Sequence, residues 1–219
     1  MKICFQRGFF GINNTTTKEI IGYKAVILRA GGIFMKTLIA YRTKYGTTRK
    51  AAEKIAKRLP GEVDLLDLKE EKVSDVCIYD VILIGASVYG GNIQREVRSF
   101  FDQHREDLIV RPYGLFIAAG NTLEVERNYR VYVGKTIYDY AKIKEHIGYS
   151  YDFSKMNFFE KTIIKKVSKI TEDTENLDME GIDRIVQWVK EIESGKGKPT
   201  EEKAPEEGKA PEKEDLLTE

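Results

Sequence analysis

The hydrophobic positions of this chain fall into short runs of strand length. Three runs are almost uninterrupted, at 36–41, 80–87 and 113–119. Such runs are typical of strands that are covered on both faces, as strands in parallel sheets are. Residues 62–68 instead alternate between apolar and polar side chains, which predicts a half-exposed edge strand. We predict that 143–153 forms a fifth strand.

Segments with helical period lie between and after these runs. Residues 51–59, 93–105, 125–141 and 180–193 each place their apolar side chains on one face of a helix. Strands that alternate with helices are typical of an α/β fold, in which right-handed crossovers connect parallel strands. We therefore expect one α/β domain over 35–194.

The loop after the first strand is rich in hydroxyl groups and contains one glycine. A helical pattern follows it directly, and the first amides of a helix have no acceptor inside the helix, so this loop can bind an anion. Its spacing is neither that of a dinucleotide-binding loop nor that of an NTP-binding loop. An ordinary helix N-cap is the alternative, because threonine is a common cap. The candidate phosphate-binding residues are Thr43, Lys44, Tyr45, Gly46, Thr47 and Thr48.

Two further loops follow the third and fourth predicted strands. Loops at the carboxyl ends of neighbouring parallel strands meet at one edge of the sheet, where α/β folds bind their ligands. A tyrosine beside two glycines can stack on a flat aromatic ring, although a plain loop that opens a helix is the alternative. The candidate residues are Ser87, Val88, Tyr89, Gly90 and Gly91 in one loop, and Asn121 and Thr122 in the other.

The pattern Thr43-x-x-Gly46-x-Thr48 resembles the phosphate loop of flavodoxins, with Tyr45 in place of the central hydroxyl residue. The resemblance covers residues 36–193. It implies a flavodoxin-like three-layer sandwich with a five-stranded parallel sheet of order 2-1-3-4-5. It also implies FMN as the cofactor, with its phosphate in the first loop and its ring against the other two.

Two features resemble one branch of that superfamily, the quinone-linked, oxygen-independent protoporphyrinogen dehydrogenases. They are Gly85-Ala86-Ser87 before a Tyr-Gly loop, and the basic helix that contains 158–166. This resemblance implies a cytoplasmic oxidoreductase at the inner face of the membrane, which passes electrons from a porphyrinogen through FMN to a quinone. Acidic residues at Glu124 and Glu126 depart from the branch pattern and leave the substrate open.

Other functions remain open on the sequence alone. A flavodoxin-type electron carrier would use a redox partner protein instead of a small-molecule substrate, and a flavin-free scaffold could share the fold. The inserted helix at 156–170 is basic and amphipathic, so it could cover the core or lie on an anionic lipid surface. The tyrosines at 129, 132 and 140 could belong to the core or to a homo-oligomer interface.

Composition limits the remaining possibilities. The chain has 36 Lys+Arg and 35 Asp+Glu, a formal charge of +1, so no global field attracts nucleic acid. Two cysteines and two histidines are too few and too scattered to predict a metal site. We expect 1–34 to be a poorly ordered extension or a misplaced start. We expect the Lys/Glu/Pro-rich tail at 195–219 to be disordered.

Overall fold

The computed structural model describes residues 35–89, 92–119, 125–168 and 170–195. The strands are β1 (Lys36–Tyr41), β2 (Glu62–Asp67), β3 (Val81–Tyr89), β4 (Asn92–Ile93), β5 (Tyr113–Ala118), β6 (Ile143–His146), β7 (Gly148–Tyr151) and β8 (Thr174–Leu177). The helices are α1 (Thr47–Ala56), α2 (Arg95–Ile109), α3 (Val125–Val133), α4 (Lys135–Tyr140), α5 (Phe158–Ser168) and α6 (Met179–Glu193).

The main sheet has the order β2-β1-β3-β5-β6, and each neighbouring pair along it is parallel. Counted along the chain without the short β4, this is the order 2-1-3-4-5, which confirms the predicted topology. Strand β4 adds a two-residue antiparallel pairing to β3. Strand β2 lies at the edge, and its mostly half-buried residues agree with the alternation in its sequence.

Helices cover both faces of the sheet, which confirms the three-layer sandwich. Successive residues of a strand point to opposite faces, so Leu38 packs with α2, α3 and α4 while Ile39 packs with α1 and α6. Tyr129 is fully buried in the first of these clusters, so it belongs to the core. Trp188 of α6 lies at the border of the second cluster.

The centre of the sheet is packed too closely for a side chain at Gly85. Gly85 of β3 lies beside Phe116 of β5 in register, and a Cβ atom at position 85 would lie 2.2 Å from the Phe116 ring. The absence of a side chain at Gly85 therefore makes room for a fully buried aromatic ring between β3 and α1. This packing fixes the relative position of the two strands whose ends carry the candidate loops.

The prediction of a continuous fifth strand at 143–153 is wrong in its extent. β6 ends at His146, and the next strand, β7, pairs with β8 in a separate two-stranded sheet. The break occurs because Gly148 adopts φ +82, and a Cβ atom there would lie 1.9 Å from the main-chain oxygen of Asn176. The chain between β6 and α6 therefore forms an excursion at 148–177, which we call the insert.

One other prediction changes in detail. The helical pattern at 125–141 is divided into α3 and α4, because Gly134 lies between them with φ +89. The predicted extension at 1–34 and the tail from residue 196 onward lie outside the described residues. Within the described residues, no helix combines the length and apolar character that crossing a bilayer requires.

Candidate functional site

The candidate loops lie at the carboxyl ends of neighbouring strands. The Arg42 amide, just beyond β1, donates a hydrogen bond of 3.0 Å to the carbonyl oxygen of Gly85 in β3. Two residues later in β3, Ser87 pairs with Ala118 at the end of β5. The loops that follow β1, β3 and β5 therefore begin side by side, as the sequence predicts.

The first loop turns sharply at Gly46 before α1 begins. Gly46 adopts φ +98, and its amide donates a 2.9 Å hydrogen bond to the Thr43 hydroxyl oxygen. The first hydrogen bond of the helix runs from the Lys50 amide to the Gly46 carbonyl, at 2.9 Å. The amides of residues 47–49 precede that bond, so they have no acceptor inside the helix and can bind an anion.

The space around this loop fits a phosphate group. A Cβ atom built on Gly46 would meet nothing within 4 Å, so the backbone is open to a ligand there. Thr48 is fully buried, yet its hydroxyl has no hydrogen-bond partner among the described residues. A buried hydroxyl without a partner is costly, and a phosphate oxygen would satisfy it. Thr43 is also buried and can donate its own hydroxyl proton.

The other residues of this loop have different surroundings. The Thr47 hydroxyl donates a 3.3 Å hydrogen bond to the main-chain oxygen of Ser150 in the insert, which occupies its proton. Lys44 is exposed, and its ammonium nitrogen lies 5.1 Å from the centre of the Tyr45 ring. Thr47 therefore joins the loop to the insert, while Lys44 adds positive charge beside the anion site.

Two arginines beside the phosphate loop form ion pairs with carboxylates of neighbouring elements. Arg49 forms an ion pair of 2.9 Å with Asp67 at the end of β2, and Arg42 lies 3.6 Å from Glu96 of α2. Burial raises the pKa of the neighbouring Tyr41 phenol, so that group stays protonated and neutral. Both arginines are thus paired with carboxylates, which leaves less of their charge for a ligand.

The second loop is closed as a β-hairpin, which the sequence does not predict. Val88 pairs with Ile93, and the backbone of Tyr89 pairs with Asn92. Gln94 stabilises the hairpin: its side-chain oxygen accepts from the Ser87 amide at 3.2 Å, and its amide nitrogen bonds the Ser87 hydroxyl.

A second contact holds the hairpin against α3. The Tyr132 hydroxyl donates a 2.6 Å hydrogen bond to the side-chain oxygen of Asn92. No sequence motif marks Gln94, Asn92 or Tyr132 as part of the site, because these contacts depend on the hairpin and on residues far apart in the chain. The sequence offers one local indication of the hairpin, which is the polar side chain of Gln94 seven residues after Ser87.

Several predicted site residues lie outside the described part of the chain. These are Gly90, Gly91, Asn121 and Thr122, together with the side chain of Tyr89. Their assignment to a flavin site stays a prediction. Among the described residues, no group of three or more His, Cys, Asp or Glu side chains could hold a metal ion.

The family model of the flavodoxin domain matches residues 38–178. The chain belongs to this family. Membership supports FMN as its cofactor, in agreement with the open, amide-rich phosphate loop. Thr43, Gly46 and Thr48, the three residues that match the flavodoxin pattern, form the turn, the open backbone and the unpartnered hydroxyl of this loop, and their assignment to the phosphate stays a prediction.

Individual relatives are more distant. The chain is 24% identical over 146 residues to the protoporphyrinogen IX dehydrogenase [quinone] of Leishmania major, covering 62% of this chain and 63% of that protein. The rubredoxin:oxygen oxidoreductase of Desulfovibrio gigas is 11% identical, with a TM-score of 0.49, over 82% of this chain and 41% of that one. The chain thus spans less than two thirds of either relative.

A smaller solved structure is matched over almost its whole length. Oxidised flavodoxin 1 from Bacillus cereus is 14% identical, with a TM-score of 0.44, over 75% of this chain and 99% of that one.

Proposed function

We propose that this protein is an FMN-dependent oxidoreductase that passes electrons between a small, protoporphyrinogen-like substrate and a quinone. The observation that carries the proposal is the insert, which lies directly against the phosphate loop. Thr47 bonds Ser150 of β7, and Lys50 of α1 pairs with Glu175 of β8. A relative whose name includes a porphyrinogen and a quinone supports the same reaction class.

Bound FMN supplies the redox chemistry, and the protein supplies binding and orientation. The amides of residues 47–49 and the hydroxyls of Thr43 and Thr48 would hold the phosphate. Gln94 clamps Ser87 and thereby orients the hairpin that follows β3. Positioning of this kind would limit the orientations open to a bound flavin ring.

The insert would form a wall of the substrate site. Ser150 is buried toward the phosphate loop, whereas Tyr149 and Tyr151 lie on the opposite face of β7, with ring centroids 5.2 Å apart. An aromatic pair on the outer face of the insert would suit a flat, apolar substrate that approaches from that side. Because quinones dissolve in lipid, we place the reaction in the cytoplasm, at the inner face of the membrane.

The enzyme assay separates this proposal from an electron carrier. The full-length protein, loaded with FMN, is mixed without oxygen with protoporphyrinogen IX and a menaquinone or ubiquinone analogue. We expect porphyrin fluorescence to rise in step with quinol, one quinol for each electron pair removed. Thr48→Val, which weakens FMN binding, should lower the rate, while Thr37→Val serves as a matched buried control.

The assay can also contradict the proposal. If the FMN-loaded protein forms no quinol in the presence of the substrate, the oxidoreductase proposal fails. Electron transfer from the reduced protein to a protein acceptor would then support the flavodoxin-type carrier.

A further inference from the structure

Helix α5 carries two large aromatic side chains that the domain does not cover. Phe158 and Phe159 are 78% and 77% exposed, and their rings pack edge to face with centroids 6.0 Å apart. Neighbouring phenylalanines with this exposure on the surface of a domain are a typical sign of a binding surface. Of the two alternatives for this helix, packing on the core therefore does not hold for these two residues.

The exposed face of α5 continues from these aromatic rings into positive charge. Thr162, Lys165 and Lys166 are exposed and follow Phe158 at intervals of four, seven and eight residues, which places all of them on one side of the helix. Ile164 lies on the opposite side and is buried. We call residues 158, 159, 162, 165 and 166 the α5 outer face.

The charge on this face has one sign. Among the described side chains of α5 there is no carboxylate, and the Lys165 ammonium lies 5.8 Å from the centre of the Phe153 ring. Aromatic rings at one end of a helix face and ammonium groups one to two turns further on match the two layers of a lipid surface. The rings suit the acyl boundary, and the ammonium groups suit anionic headgroups.

We propose that the α5 outer face docks on an anionic phospholipid bilayer. Phe158 and Phe159 enter the boundary between headgroups and acyl chains, and Lys165 and Lys166 contact the lipid phosphates. The occupant is a lipid surface because the face combines exposed rings with unbalanced positive charge. A second copy of this chain would bring like charges together.

The location of α5 connects the proposed lipid contact to the candidate flavin site. The helix lies within the insert, and the insert contacts the phosphate loop through the Thr47–Ser150 hydrogen bond and the Lys50–Glu175 ion pair. A docked helix would therefore bring the insert, and the phosphate loop that it contacts, toward the lipid. This part of the inference rests on the proposed function, since a quinone dissolved in the bilayer is the acceptor there.

The test is co-sedimentation of the full-length protein with vesicles. One set contains phosphatidylglycerol and phosphatidylcholine, and the other contains phosphatidylcholine alone. We expect binding to the anionic vesicles that weakens as salt is added. The double variant Phe158→Ser/Phe159→Ser should lower the partition coefficient by about tenfold. Lys165→Gln/Lys166→Gln should lower it to a similar extent, on the order of tenfold, and should remove most of the salt dependence.

Matched controls use exposed residues of the same types elsewhere. Val110→Ser/Val131→Ser removes two exposed apolar side chains, and Lys135→Gln/Lys142→Gln removes two exposed lysines; neither pair should change binding. The proposal is overturned if the α5 variants bind like the unaltered protein, or if no binding to anionic vesicles occurs. It is also overturned if the phenylalanine variant changes only the oligomeric state.

Vesicle binding is measured without substrate and without turnover. A protein that does not reduce quinone can therefore still show the vesicle binding expected here. A protein that does not bind lipid can still be tested for redox activity in the enzyme assay.

Discussion

The hydroxyl of Thr47 donates a hydrogen bond of 3.3 Å to the main-chain oxygen of Ser150, 103 residues further along the chain. Both groups are buried, so the contact is shielded from water. It connects the first turn of the helix after the phosphate loop to the first strand of the insert. A change in either segment is therefore transmitted directly to the other.

Thr47→Val should loosen this connection. Valine keeps the shape of threonine but leaves the Ser150 oxygen buried without a donor, so the free energy of unfolding should fall by about 1 kcal/mol. We expect faster amide hydrogen exchange in β7 and β8 and little change in the central strands. Thr136→Val, at an exposed position of α4, is the control. Equal exchange in both variants would show that this hydrogen bond does not hold the insert.

Thr48→Val tests the phosphate site against a matched position. The hydroxyls of Thr48 and Thr37 are both buried and lack partners among the described residues, but Thr37 lies near the opposite end of β1. Loss of a hydrogen bond to a charged phosphate should weaken FMN binding roughly 10- to 100-fold for Thr48→Val alone. Fluorescence titration of the flavin measures this.

Neither valine variant should be less stable without FMN, because each removes a hydroxyl whose burial is costly. Equal flavin affinity in the two variants would count against the assignment of Thr48.

Gly46→Ala tests the open turn of the loop. Gly46 and Gly195 both adopt positive φ, at +98 and +68, and a Cβ atom on either would meet nothing within 4 Å. An alanine at either position should therefore lower stability through backbone strain alone, by about 1–2 kcal/mol. We expect a lower FMN affinity only for Gly46→Ala. Equal FMN affinity in both variants would show that the turn at Gly46 is not part of the FMN site.

His104 should make the stability of the fold depend on pH. It is buried in α2, with its Nε2 atom 3.1 Å from the Val73 carbonyl oxygen and its ring against Phe100. Burial lowers the pKa of His104 below its usual 6.5, so the unfolded chain binds the proton more readily than the folded one. The free energy of unfolding should therefore fall as the pH drops below about 7.

The size of the effect is limited to one proton, so the slope stays below about 1.4 kcal/mol per pH unit. Urea denaturation of the protein and of His104→Gln, at about pH 7.5 and about pH 5.5, measures it. The variant should lose less stability between the two conditions. An equal loss in both would contradict the assignment to His104.

The topology of the sheet could be predicted because the sequence of each central strand shows that both of its faces are buried. Leu38 and Ile39 point to opposite layers and are both fully buried. A continuous apolar run is the sequence pattern of a strand that is covered on both faces. The end of β6 could not be predicted in this way. The residues after His146 still resemble a strand, and only the contact between Gly148 and Asn176 shows that they pair elsewhere.

The site was predictable where its parts are local in the sequence. Thr43, Gly46 and Thr48 lie within six residues, and their spacing alone indicates the phosphate loop. Gln94 and Ser150 were not predictable, since one acts across a hairpin and the other across most of the domain. The exposure of Phe158 could not be predicted either, because a helix with apolar residues on several sides has no unique inward face.

The insert begins and ends at one place in the structure. The Ile147 carbonyl accepts a 3.2 Å hydrogen bond from the Asp178 amide, so the chain departs from the parallel sheet and rejoins it at adjacent residues. A short splice from Ile147 to Asp178 would keep the ends of β6 and α6 together, so the whole segment could be exchanged as one unit. Any replacement would also have to supply an acceptor for the Thr47 hydroxyl, because that group now bonds the insert.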